Sequence, residues 1–108
     1  MQHFAYVATA SITTARGERY AKQLISHWGR HAAAVTEVSG QTVLEFAATE
    51  RWPATAVGVS VTPQTLVLTS YAQDAAGLQA NNDALTGHLR RWAGEAEELA
   101  VDWQPAQE

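Results

Sequence analysis

The fold of this chain is decided by residues 54–71, which read ATAVGVSVTPQTLVLTSY. In residues 54–61 larger side chains alternate with small ones, as in a strand that buries one face. The larger set is Thr55, Val57, Val59 and Val61, and the small set is Ala56, Gly58 and Ser60. Pro63 predicts a turn at residues 62–65, because proline presets the backbone for one. Residues 66–71 then return antiparallel, and we expect the small, polar face of this sheet to meet water.

Upstream of this stretch, residues 35–38 and 42–46 also read as strands. They flank Ser39-Gly40, a dipeptide typical of a tight hairpin turn. Nearer the start, residues 4–10 alternate and predict another strand. The hydroxyl side chains after it are expected to cap a helix, and they are Ser11, Thr13 and Thr14.

Two amphipathic helices are predicted on either side of the central strands. The first covers residues 15–31, where apolar side chains recur at three- and four-residue intervals. Its stripe is Tyr20, Ala21, Leu24, Ile25 and Trp28. The second begins after Asp74, a capping residue, and ends at Gly94, a helix-stopping residue. Its stripe is Leu78, Leu85, Leu89 and Trp92.

A last strand is predicted over residues 99–103, before a polar tail at 104–108. The order β-α-β-β-β-β-α-β favours the α+β class, in which two helices cover one face of an antiparallel sheet. This two-layer α/β sandwich has the topology of TATA-binding-protein-like folds, an analogy of fold that does not fix function. We expect residues 1–108 to form a single domain with Trp28, Trp92 and Trp103 in its core.

Composition excludes several functional classes. The chain has no cysteine, which excludes disulfides, thiolate nucleophiles and cysteine-ligated metal centres. Its net charge of −4 argues against nucleic acid as a partner. No apolar run is long enough for a membrane span, and the first residues do not resemble a secretion signal. We therefore expect a cytoplasmic protein.

Three segments resemble a known bacterial family, domain-of-unknown-function family 2218. The first is residues 19–24 (RYAKQL) followed by His27-Trp28, and the second is the hairpin at residues 35–46. The third is residues 88–93 (HLRRWA) with the closing pattern at 99–103 (LAVDW). The resemblance covers nearly the whole chain.

The chain departs from the family pattern at two places. Arg30 stands where members commonly have a second histidine, and His31 comes one residue later. Residues 47–60 are longer than usual and add Trp52. The family has no established activity, but its members often occur with, or fused to, siderophore-interacting reductases. The resemblance therefore implies a role in iron and siderophore handling, with such a reductase or a ferric siderophore as partner.

The histidines are the first candidate ligand-binding residues. His27 and His31 are four residues apart, with Tyr20 between them on the helical projection, so they could grip one metal ion or haem. A further ligand would come from His3, His88 or a carboxylate. The alternative is that the histidines flank the apolar stripe and form local hydrogen bonds.

The second group of candidates is aromatic and basic. Trp52 lies between Arg51 and Pro53 in a predicted loop, where it would stack on a flat ligand or cover the core edge. A basic row on the first helix would receive an anionic partner or simply remain solvated. That row is Arg16, Arg19, Lys22 and Arg30.

Three functions follow from these patterns, in descending order. The first is a non-catalytic accessory or binding module, since no phosphate loop, nucleophile elbow or catalytic residue is found. The second is a metal- or haem-binding protein that uses His27 and His31. The third is a structural homodimer that pairs through sheet edges or the small-residue face, the alternative state being a monomer.

Overall fold

The structure is a computed structural model that describes residues 4–51 and 53–106. Within these residues, six strands and two helices follow in the predicted order. Their bounds are β1 Tyr6–Thr13, α1 Gly17–Gly29, β2 Ala34–Val38, β3 Gln41–Phe46, β4 Thr55–Thr62, β5 Thr65–Ala72, α2 Ala75–Ala93 and β6 Gln104–Pro105. The strands form one sheet in the order β2-β3-β4-β5-β1-β6, and each neighbouring pair is antiparallel. The predicted α+β class is therefore confirmed.

The predicted turns set the register of the central meander. Thr62 pairs with Thr65 around the proline turn, so β4 and β5 align along their full length. Ser39 and Gly40 have φ angles of 51° and 79°, and they join β2 to β3. Two consecutive left-handed residues match the twist of the flanking strands, which is why an asparagine-, serine- or glycine-rich dipeptide suits this turn.

The hydrophobic core lies between the sheet and the helices. The sheet contributes Val57, Leu66 and Leu68, all 0% exposed, while α2 contributes Leu85 and Leu89, also 0% exposed. The three tryptophans expected in the core lie half-buried at its margin, together with Leu78 at intermediate burial. They are Trp28, Trp92 and Trp103. Burial of each large aliphatic side chain contributes roughly 1.5–3 kcal/mol, so this layer supplies most of the stabilisation.

The caps of α2 agree with the sequence prediction. Asp74 is the N-cap, and its Oδ1 accepts a hydrogen bond from the Gly77 backbone N–H at 2.6 Å. Gly94 ends the helix with a φ of 54°, a left-handed conformation that glycine adopts without strain.

The opposite face of the sheet is covered in part, contrary to the expectation that it meets water. Phe4 is 1% exposed and clusters with Val43, Ala54 and Ala56, and its ring centroid lies 5.8 Å from that of Tyr71. The alanines leave room for the phenyl ring, so the chain before β1 packs across this face. A small-residue face can therefore accommodate another segment of the chain.

The start of α1 also differs from the prediction. Ser11 and Thr13 continue β1 and pair with Val67 and Thr65 of β5, so neither caps a helix. Arg16 is the N-cap and makes no capping bond with its side chain. Strand pairing outweighs the local capping preference of these hydroxyl residues.

The last strand lies later than predicted. Residues 99–103 alternate because Leu99, Val101 and Trp103 pack on the core, but they join no strand ladder. The ladder forms at β6, inside the predicted polar tail, where Gln104 and Pro105 pair with β1. Alternation in a sequence reports alternating burial, which an unpaired extended segment shows as well as a strand.

Candidate functional site

Aromatic rings from α1 and α2 meet at the carboxyl end of α1. The ring centroid of His27 lies 5.1 Å from that of His88 and 6.0 Å from that of Trp92. His88 lies 5.4 Å from Trp92 and 5.7 Å from Trp28. Trp28 in turn contacts Phe46 at the end of β3, with centroids 5.8 Å apart. We call these five residues the ring cluster.

The spacing of residues on each helix explains the ring cluster. His88 and Trp92 are four residues apart on α2, so they share one face. His27 and Trp28 lie in the last turn of α1, where they reach that face from the side. Burial lowers the pKa of His88 below its ordinary value of 6.5, and the charges of His27 and Arg91 lower it further. The cluster therefore favours a neutral imidazole at position 88.

The partner of His27 is His88 rather than His31. α1 ends at Gly29, and His31 lies exposed in the following turn, where its backbone N–H donates to the Trp28 carbonyl at 3.0 Å. Within residues 4–51 and 53–106, no three histidine, aspartate or glutamate side chains are grouped so as to hold a metal ion. His3, another predicted ligand, lies outside the described residues.

An apolar cleft of about 300 Å³ opens on one side of the ring cluster. Its walls come from α1, α2 and the ends of β3 and β4. The lining residues are Trp28, Phe46, Ala47, Thr49, Pro53, Thr55, Gly77, Ala80, Asn81 and Ala84. Ligand pockets usually measure roughly 300–1,000 Å³, so this cleft has room for a single small ring or an equivalent group.

Asn81 holds the α2 wall of the apolar cleft against the sheet. Its Nδ2 donates to the Ser70 hydroxyl at 2.9 Å and to the Ala56 carbonyl at 3.3 Å. Ser70 is 0% exposed, so the amide satisfies a buried hydroxyl group. These bonds fix the distance between α2 and the sheet and therefore the width of the cleft.

A basic hollow of about 360 Å³ opens on the other side of the ring cluster. It is lined by Lys22, Gln23, Ser26, His27, Arg30 and Trp92. Two members of the predicted basic row, Lys22 and Arg30, thus belong to one concave surface. Arg19 is exposed on the same helix but does not line the hollow.

Tyr20 serves the fold at the opposite end of α1. It is 2% exposed, and its hydroxyl donates to Glu97 Oε2 at 2.5 Å. The Thr14 hydroxyl lies 3.0 Å from both oxygens of the same carboxylate. We call these three residues the Glu97 clasp. Burial raises the pKa of Tyr20 above its ordinary 10.0, the hydrogen bond to Glu97 raises it further, and Arg16 partly opposes this.

Sequence reasoning missed Glu97, because the acidic run at residues 95–98 suggests solvation. No local signal marks a contact between residues 77 positions apart. Trp52, the other predicted aromatic ligand, lies outside the described residues. None of the helices in the described part of the chain is both long and apolar enough to cross a membrane.

The fold matches a solved bacterial structure. The NMR structure of PA4090 from Pseudomonas aeruginosa aligns with a TM-score of 0.70 and 22% sequence identity. The alignment covers 95% of this chain and 99% of that one. At this identity the likeness establishes the two-layer architecture and leaves function open.

Residues 9–104 match the family described as an uncharacterised protein conserved in bacteria, domain of unknown function 2218. The chain belongs to that family, as the motifs at residues 19–28 and 88–93 predict. A search of curated proteins finds no match.

Proposed function

We propose that this chain is a non-catalytic binding module that receives a flat, apolar group in the apolar cleft. The observation that carries the proposal is the pairing of Trp28 with Phe46 at the wall of a cleft of about 300 Å³. Aromatic walls favour stacked or edge-on contact with a planar ligand. The amide of Asn81 and the hydroxyl of Thr55 add the few polar contacts that orient a ligand in such a site.

The resemblance implies the biological context of this module. A ferric siderophore would insert one ring of a larger molecule, and a siderophore-interacting reductase would present or receive it. The metal- or haem-binding alternative has less support, because His27 is paired with His88 and no described metal-holding group accompanies it. Pairing between two copies of the chain stays a prediction.

The experiment is thermal unfolding with a panel of ligands. The panel contains ferric catecholate and hydroxamate siderophores, haem, a flavin nucleotide and divalent metals. A ligand present at a hundred times its Kd stabilises the native state by about 2.7 kcal/mol, which raises the Tm. We expect a rise with a ring-bearing siderophore.

Matched variants place the ligand. Ala84→Leu fills the apolar cleft and should abolish the rise, since Ala84 is exposed and lines it. Ala75→Leu makes the same change on the same helix, outside the cleft, and should keep the rise. An equal rise in both variants, or no rise with any ring-bearing ligand, would contradict the proposal.

A further inference from the structure

The basic hollow combines hydrogen-bond donors at regular intervals along α1. Lys22, Ser26 and Arg30 are spaced four residues apart, so they share one helix face. His27 lies beside them, and Trp92 from α2 supplies an apolar wall. A concave surface beside an apolar wall has less water around its charges, which strengthens their interaction with a ligand.

The charges in the basic hollow all have one sign. Its described lining residues include two cations, Lys22 and Arg30, and no acid. The negative end of the α1 dipole opposes an anion here with about half a unit charge. Two full positive charges outweigh it. Arginine and lysine bind carboxylate and phosphate oxygens through charge-assisted hydrogen bonds.

Gln23 adds a requirement of the opposite kind. Its Oε1 is buried and has no hydrogen-bond partner among the residues the structure describes. A buried acceptor without a partner costs roughly 1–3 kcal/mol. Because Gln23 lines the hollow, a hydroxyl donor on the ligand would satisfy this oxygen.

We infer that the basic hollow binds a hydroxycarboxylate, with carboxylate oxygens on Lys22 and Arg30 and the hydroxyl donated to Gln23. This site is separate from the apolar cleft. His27 and Trp28 are adjacent in sequence but line different hollows, so each site can be changed without the other.

The test compares citrate with tricarballylate, which is citrate without its hydroxyl group. Binding is measured by amide chemical shifts of the ¹⁵N-labelled protein. We expect citrate to shift residues 22–30 and to bind about fivefold more tightly than tricarballylate, the effect of one net hydrogen bond. Gln23→Leu should remove this preference, and Arg30→Gln should weaken both ligands about threefold to tenfold.

Three controls decide the outcome. Arg19→Gln changes the net charge equally on the same helix and should leave citrate binding unchanged. Ala84→Leu fills the apolar cleft and should also leave it unchanged, which separates this inference from the proposed function. Equal losses in Arg19→Gln and Arg30→Gln, equal affinity for citrate and tricarballylate, or tighter binding of inorganic phosphate would overturn the inference.

Discussion

The two ends of α1 use polar side chains in opposite ways. At its beginning, the Glu97 clasp buries two hydroxyl groups on one carboxylate, with every contact at 3.0 Å or less. At its end, the ring cluster brings two imidazoles within 5.1 Å of each other and leaves His27 exposed. The first arrangement joins distant parts of the chain, whereas the second borders two open hollows. The comparison indicates that one helix serves stability at one end and binding at the other.

The largest effect should come from Glu97→Ala. This change removes the acceptor from Thr14 and Tyr20, which are 4% and 2% exposed. Two buried hydroxyl groups then lack their partner, and we expect a loss of about 2–4 kcal/mol in the free energy of unfolding. Urea unfolding measures it. Glu98→Ala, an exposed neighbour, should change stability by no more than about 0.5 kcal/mol. Equal losses in both variants would show that the clasp contributes nothing.

A smaller loss of about 1–2 kcal/mol is expected for Tyr20→Phe, because Glu97 keeps its bond to Thr14. The variant also tests the pKa of Tyr20, which the fold raises above 10.0. A raised pKa stabilises the fold below pH 10, and this contribution is lost as the pH rises through the folded pKa. The stability of the wild type should therefore fall more steeply than that of Tyr20→Phe above pH 10. Parallel curves would contradict the raised pKa.

The smallest effect at neutral pH is expected in the ring cluster. His88→Phe keeps a ring among Trp28 and Trp92 and should change stability at pH 8 by about 1 kcal/mol or less. The fold lowers the pKa of His88 below 6.5, so its contribution is present above pH 6.5 and lost as the pH falls through the folded pKa. The wild type should lose stability on acidification relative to His88→Phe. Thermal unfolding between pH 8 and pH 4.5 checks this, and an unchanged difference would refute it.

The same contrast explains how much the sequence could predict. The strands at residues 54–71 follow from alternation and one proline, because these signals act over a few residues. The ring cluster was partly predictable: helical spacing placed His27 and His88 on the facing stripes. Which imidazoles meet depends on how the two helices are set against each other, and this depends on the whole core.

The clasp and the covered sheet face were out of reach for the same physical reason. Glu97 resembles its solvated neighbours until the fold brings Tyr20 beside it. Phe4 packs across the outer face because Ala54 and Ala56 leave space there, which only the assembled sheet reveals. Local patterns determine elements, and contacts between distant residues determine which polar groups become buried.

The position of β1 in the sheet has a consequence for how the chain folds. β1 is made first, yet it hydrogen-bonds to β5 and β6, which are made last. The meander from β2 to β5 can close through short turns while the chain is still being synthesised. β1 must wait with Ile12, a core residue, uncovered. Contacts of such long sequence separation slow folding, so closure of the β1–β5 pair is the expected rate-limiting step and the period of greatest exposure to aggregation.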